Sequence, residues 1–92
     1  MNNKTARKEI AQQIANISSY ELGMTDSAAD KVEFAHVGNQ TQLFITSREQ
    51  GSIYVRISET GKIKIRSDRE KYLVIREALQ DAGYKKSIQQ IV

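Results

Sequence analysis

Residues 41–66, TQLFITSREQGSIYVRISETGKIKIR, decide how this chain folds. Apolar residues alternate through them: Leu43 and Ile45, then Ile53, Val55 and Ile57, then Ile63 and Ile65. A period of two marks strands with one buried face. Polar breaks at 48–51 and 59–61 cut the stretch into three strands, expected near 41–47, 52–58 and 62–66.

Upstream, residues 32–37 read as a further strand, and Gly38 with Asn39 is a hairpin signal. A two-residue loop there sets Val37 against Gln40, Phe34 against Leu43, Val32 against Ile45 and Glu33 against Phe44. At the 59–61 break a two-residue loop would oppose Ile57 to Lys64. A three-residue loop with Gly61 left-handed opposes Ile57 to Ile63 and Val55 to Ile65, and is the expected one. Pairing Ile45 with Ile53 also brings Leu43 opposite Val55 and Phe44 opposite Tyr54. All three hairpins then agree on one buried face.

Helices are expected on both sides. Residues 5–20 carry Ile10, Ile14 and Ile17 on one face, extended by Ala6, with Arg7, Lys8, Gln12 and Asn16 off that stripe. Thr5 or Asn3 caps the start, and Gly23 follows the end. Residues 24–31 are a polar connector in which 25–30 suit one helical turn. Ser67 and Glu70 have the spacing of a capping box opening a helix over 68–82, with Tyr72, Ile75, Leu79 and Ala82 as its apolar stripe. Gly83 suits the left-handed position after it, with Tyr84 folding back on Leu79. Ile88, Ile91 and Val92 stand at near-helical spacing, suggesting a last short helix. The expected class is α+β: a four-stranded antiparallel β-meander with helices on one face, in the order αββββα.

A chain of 92 residues supports one compact domain, 1–92. Cys is absent, which leaves no disulfide and no thiolate metal site. Hydrophobic residues make up 39% and charged residues 27%, which argues against disorder. The opening residues have no continuous apolar run, so neither a signal peptide nor a membrane span is expected. These features suggest a soluble protein of a reducing cytosol. The net charge of +3 is unevenly placed. Residues 1–47 hold four basic and five acidic residues, whereas 48–92 hold ten and six. A basic face that attracts an anionic partner follows from this asymmetry.

The register also assigns the opposite, outer face of the sheet. Glu33, Phe44, Tyr54 and Arg66 form one cross-strand row; Ala35, Gln42, Arg56 and Lys64 form the next, with Ser58 and Lys62 near its end. Phe44, Tyr54, Arg56, Lys62, Lys64 and Arg66 are therefore the candidate partner-binding residues. Aromatics beside cations suit stacking on unpaired bases with phosphate contacts at the rim. The same residues suit a protein interface. A cross-strand aromatic pair also supports a sheet by itself.

Catalytic constellations do not assemble. His36 is the only histidine and points to the inner face, as a satisfied, partly buried side chain. No second His or Cys completes a metal site, no GxSxG elbow occurs, and Gly61-Lys62 lacks the upstream glycines of a phosphate loop. No catalytic residue, metal, cofactor or small-molecule substrate is assigned. The aromatic-Gly-aromatic core of an RNA-recognition strand is also missing.

The opening NNKTARKEIAQQIANISSYELGM, the β-rich middle and the total length together resemble small phage-encoded anti-CRISPR proteins that act on a type I, and specifically a I-F, surveillance complex. The resemblance spans the whole chain and rests on no motif, so it transfers no site residue. It implies a compact cofactor-free inhibitor in the cytoplasm of a bacterial host, bound to Cas proteins and in reach of guide RNA. Many such inhibitors are acidic mimics of DNA; this chain is basic, which points instead to guide RNA or acidic protein patches. The alternative is a free-standing basic nucleic-acid-binding or regulatory domain from a mobile element.

Overall fold

The computed structural model describes residues 4–91. Its elements are α1 (Lys4–Leu22), β1 (Lys31–Val37), β2 (Gln40–Ser47), β3 (Gly51–Ile57), β4 (Ile63–Arg66), α2 (Arg69–Asp81) and β5 (Ile88–Ile91). The class is α+β, but the sheet has five strands in sequential order. The first three pairs are antiparallel, and β4 pairs with β5 in parallel. The four-stranded antiparallel meander is thus only part of the sheet.

The tail is where the expectation fails. Ile88 and Ile91 belong to a strand, not a helix, and Val92 lies outside the described residues. Four residues are too few to hold a helix without strong caps. A parallel neighbour needs a crossover, and α2 supplies it. The Tyr72 hydroxyl donates to the Ile88 carbonyl at 3.0 Å, and the Gln90 amide donates to the Ser67 carbonyl at 2.9 Å. Extended backbone at 88–91 thereby gains β4 as a ladder partner and the Tyr72 hydroxyl of α2 as a donor to Ile88, while the Gln90 side chain ties the strand to the residue before the α2 cap.

The hairpin registers are those the alternation requires. Phe34 lies opposite Leu43, Val32 opposite Ile45, and Val37 opposite Gln40. Leu43 faces Val55, Ile45 faces Ile53, and Phe44 faces Tyr54. Val55 faces Ile65 and Ile57 faces Ile63, around a loop in which Gly61 has a φ of 86°. Leu43, Ile45, Ile53, Val55, Ile57, Ile63 and Ile65 are all buried in one core with Ile14, Met24, Tyr72, Ile75 and Leu79. β1 departs from this pattern. Phe34 is 38% exposed although its partner Leu43 is 0% exposed. α1 lies chiefly over β2, so the helix layer stops short of the edge strand.

α1 is rotated relative to the expected stripe. Arg7, Ala11, Ile14, Ala15 and Ser18 are its buried residues, and Ile10 and Ile17 flank them half-buried. Small side chains let the helix approach the sheet closely, and Ser18 satisfies its hydroxyl by donating to the Ile14 carbonyl at 2.9 Å. Arg7, expected off the stripe, turns inward and donates from Nε to Thr41 Oγ1 at 3.1 Å. Asn3, the alternative cap, lies outside the described residues. The connector that follows is not helical: Ser27 and Asp30 close a turn through the Asp30 amide to the Ser27 carbonyl and the Ser27 amide to Asp30 Oδ2. Met24, within the stretch read as polar, is fully buried.

α2 is capped by Asp68 and not by Ser67. The Asp68 carboxylate accepts the Lys71 amide at 2.9 Å and the Lys71 ammonium at 2.5 Å. A carboxylate is the better acceptor at the positive end of a helix, and Ser67 instead donates to the Asp68 carbonyl. These contacts hold the Asp68 carboxyl below its usual range, the Lys71 side chain contributing most. The helix ends in a Schellman motif: Gly83 donates to Gln80 and Tyr84 to Leu79. Tyr84 packs against the core, while Ala82, expected in the stripe, is exposed.

Candidate functional site

Strand alternation puts every second residue of β2, β3 and β4 on the sheet face opposite the helices. The bonded registers then fix who stands beside whom. Glu33, Phe44, Tyr54 and Arg66 lie in one row, and Ala35, Gln42, Arg56 and Lys64 in the next. The structure therefore gathers Phe44, Tyr54, Arg56, Lys64 and Arg66 on a single face, as their spacing anticipates. β5 extends both rows, with Ile91 beside Arg66 and Gln89 beside Lys64. Treating the tail as a helix hid these two positions.

Phe44 and Tyr54 are in ring contact, with centroids 4.9 Å apart and planes tilted by 37°. Arg66 places its guanidinium 5.7 Å from the Tyr54 centroid, a cation–π arrangement. Phe44 remains 39% exposed, a large apolar surface left open on a polar face. Phe44, Ser52, Tyr54, Arg56 and Arg66 surround a wide depression of about 480 Å³. Beside it, Gln40, Arg56, Ser58, Lys62 and Lys64 line a smaller hollow of about 180 Å³. Arg56 belongs to both. Ser58 stands at the end of its row as the register places it, whereas Gln40 and Ser52 escaped the sequence reading because polar residues without charge carry no signal of their own there.

The β3–β4 part of this face is cationic, and Glu33 on the edge strand β1 is the acidic residue of the aromatic row. Among the described residues the salt bridge present is Lys71 to Asp68, on α2. No carboxylate among them stands within ion-pair distance of Arg56, Lys62, Lys64 or Arg66. The Arg56 Nε is shielded from solvent and has no hydrogen-bond partner among the described residues. A buried guanidinium N–H without an acceptor is costly, and an anion seated in the hollow would relieve part of that cost by compensating the charge.

His36 lies on the other face. Its Nδ1 is 2.9 Å from Thr41 Oγ1, the hydroxyl that Arg7 also engages. Burial first, then the charges of Lys4, Arg7 and Lys8, push its pKa below the ordinary histidine value. Among the described residues no group of three or more His, Cys, Asp or Glu is placed to hold a metal ion. No helix among them is long and apolar enough to cross a membrane. Comparison of the chain with known protein families, curated proteins and solved structures finds no match.

Proposed function

We propose that this chain is a non-enzymatic inhibitor that docks its outer sheet face on a CRISPR-Cas ribonucleoprotein surveillance complex and blocks binding of target DNA. The observation that carries the proposal is the set of four cations, Arg56, Lys62, Lys64 and Arg66, without ion-pair partners among the described residues, around an open aromatic pair. Folding has no evident need of such a grouping. Planar guanidinium groups recognise phosphate or carboxylate with two parallel bonds, and lysines add point charge. Phe44 and Tyr54 offer rigid area for a base or an apolar side chain. The partners are Cas subunits, with guide RNA within reach of the same face, in the cytoplasm of a bacterial host. The choice of that complex rests on the sequence resemblance; the choice of face rests on geometry.

A second reading is a small nucleic-acid-binding or regulatory domain of a mobile element. The Arg66–Tyr54–Phe44 cluster favours it, because stacking aromatics flanked by arginine serve unpaired bases without help from another protein.

One experiment separates the two. Tagged protein is used to capture complexes from a lysate containing an assembled type I surveillance complex, and the captured complex is assayed for target DNA binding. Bare single-stranded RNA and DNA are titrated in parallel across salt concentrations. Capture of the assembled complex with loss of DNA binding supports the inhibitor. Steeply salt-dependent binding to bare nucleic acid without such capture supports the second reading. A protein that neither captures the complex nor binds bare nucleic acid overturns both readings.

A further inference from the structure

β1 is one edge of the sheet, and no strand among the described residues pairs with its outer side. Its backbone states which groups are left over. The two-residue loop makes Val37 and Gln40 the closing bonded pair, and bonded pairs alternate along an antiparallel ladder. Glu33 and Ala35 therefore direct their amides and carbonyls to β2, while Val32, Phe34 and His36 direct theirs outward. The same parity, carried across the sheet, makes Ser58 and Lys62 a bonded pair, and the Ser58 amide does donate to the Lys62 carbonyl at 2.9 Å.

Edge strands in monomeric proteins are blunted by shortness, bulges, proline and charged side chains, and most strongly by charges that point inward. β1 has seven residues and an unbroken register. Its two charged residues in 31–36, Lys31 and Glu33, both lie on the outer face. β5, the opposite edge, has four residues and follows Lys85 and Lys86. Only β1 offers a long regular template. Its inward side chains are also under-covered: Phe34 is 38% exposed where the next strand's Leu43 and Ile45 are 0% exposed.

We propose that β1 pairs antiparallel with β1 of a second copy, about a two-fold axis through Phe34. Phe34 then meets Phe34, and Val32 meets His36 on each side of the axis. All three are bonded pairs of the new ladder, so every outward amide and carbonyl of these residues is satisfied. The two phenyl rings meet beyond the ends of the helix layers and cover one another. On the outer face Glu33 falls opposite Ala35, and Lys31 opposite Val37, so no like charges stand directly opposed. An axis at Glu33 would set two carboxylates face to face, and an axis at Ala35 would sacrifice one of the bonded pairs. The two-fold runs perpendicular to the sheet, so the basic aromatic faces of both copies lie on the same side of one continuous sheet. This pairing is independent of what those faces bind.

A single strand pair is a small interface, so the association is weak, with an expected dissociation constant of about 10–100 μM. Sedimentation equilibrium from about 5 to about 500 μM brackets that range. The expected result is monomer at the low end and dimer at the high end. Amide exchange of the native protein over the same range needs no variant. Protection should rise with concentration at Val32, Phe34 and His36 and stay constant at Glu33 and Ala35. Phe34→Lys, at a half-exposed position, should keep the circular dichroism of the parent and remain monomeric throughout. A monomer at the highest concentration, a dimer without that alternating protection, or a dimeric Phe34→Lys protein overturns the proposal.

Discussion

The hydroxyl of Tyr72 donates to the carbonyl of Ile88 at 3.0 Å, so a core residue of α2 holds the last strand in place. Tyr72 itself is buried to 4% exposure, and Arg69 and Arg76 place their guanidinium groups 5.6 and 5.5 Å from its ring centroid. Replacement by Phe keeps the ring and removes only the bond. Tyr72→Phe should cost about 0.5–1.5 kcal/mol, the net value of one hydrogen bond. The loss should be local: amide exchange should accelerate over 88–91 and stay unchanged in β2 and β3. Urea denaturation and exchange measured together check this, and uniform acceleration would show that β5 is not a separately held element.

Gly61 tests how the β3–β4 loop meets the tail. Its φ of 86° disfavours any side chain, and an added Cβ would lie 2.8 Å from the Lys86 Cδ and 3.2 Å from the Tyr84 hydroxyl. That hydroxyl donates to the Gly61 carbonyl, and Lys86 donates to the Thr60 carbonyl at 3.0 Å. Gly83 has a φ of 95° with open space around it. Gly83→Ala therefore carries backbone strain alone, about 1 kcal/mol. Gly61→Ala adds crowding that the exposed Lys86 side chain can relieve by shifting and the Tyr84 hydroxyl relieves less easily, so it should cost somewhat more, about 1.5–2 kcal/mol. Equal losses in chemical denaturation would mean that the tail does not press on the loop.

The middle of the fold was legible because its alternation is strict and its turns leave few registers. Moving the 59–61 loop by one residue would have opposed Ile57 to Lys64, so the correct pairing could be chosen by elimination. The same register delivered Tyr54 beside Phe44 and Arg56 beside Lys64. What stayed hidden depends on contacts that no local pattern encodes. Ile88 and Ile91 satisfy helical and extended spacing alike, and only β4 and Tyr72 decide between them. Phe34 alternates like a covered residue, yet the reach of α1 leaves it half-open. Ala11 and Ala15, not Ile10 and Ile17, sit at the centre of α1's buried stripe, because closeness of approach mattered more there than hydrophobicity.

His36 gives the fold a pH dependence with a definite sign. Burial, followed by Lys4, Arg7 and Lys8, lowers its pKa in the folded state. The folded protein then binds fewer protons than the unfolded one, so stability rises with pH across this group's titration. The contribution is present above the ordinary histidine value of about 6.5 and is lost as the pH falls below it through the folded-state value. Asp68, held below 3.8 chiefly by the Lys71 side chain, acts only in more acid solution. Urea denaturation at about pH 7.5 and about pH 5 should show lower stability at the acid end, and His36→Gln should flatten the difference. A variant with the parent's pH slope would assign that slope to other groups.

The outer face carries the last prediction. Arg56 and Lys64 stand opposite each other on β3 and β4 and line the same hollow. Arg56→Glu with Lys64→Glu places two carboxylates on a face where four cations and an aromatic pair meet the proposed anionic partner. Arg56 is half-buried and the two new carboxylates would stand directly opposite each other, so the double variant should lose about 1 kcal/mol of stability and still fold. Each lost charge-assisted contact costs about 1.5–3 kcal/mol, so binding should weaken by at least about 100-fold. Tyr54→Ala should weaken it further by about 1–3 kcal/mol if the partner presents a base to the ring, and far less if it presents a carboxylate. Lys4→Glu with Lys8→Glu is the matched control: the same charge change at exposed positions of α1, which should leave binding near the parent's. Affinity for the captured partner, measured for all three variants after circular dichroism confirms folding, decides the matter. If the α1 variant loses binding and the sheet variant keeps it, the working surface lies on the first helix. If both keep it, the exposed Lys85 and Lys86 before β5 become the next positions to reverse.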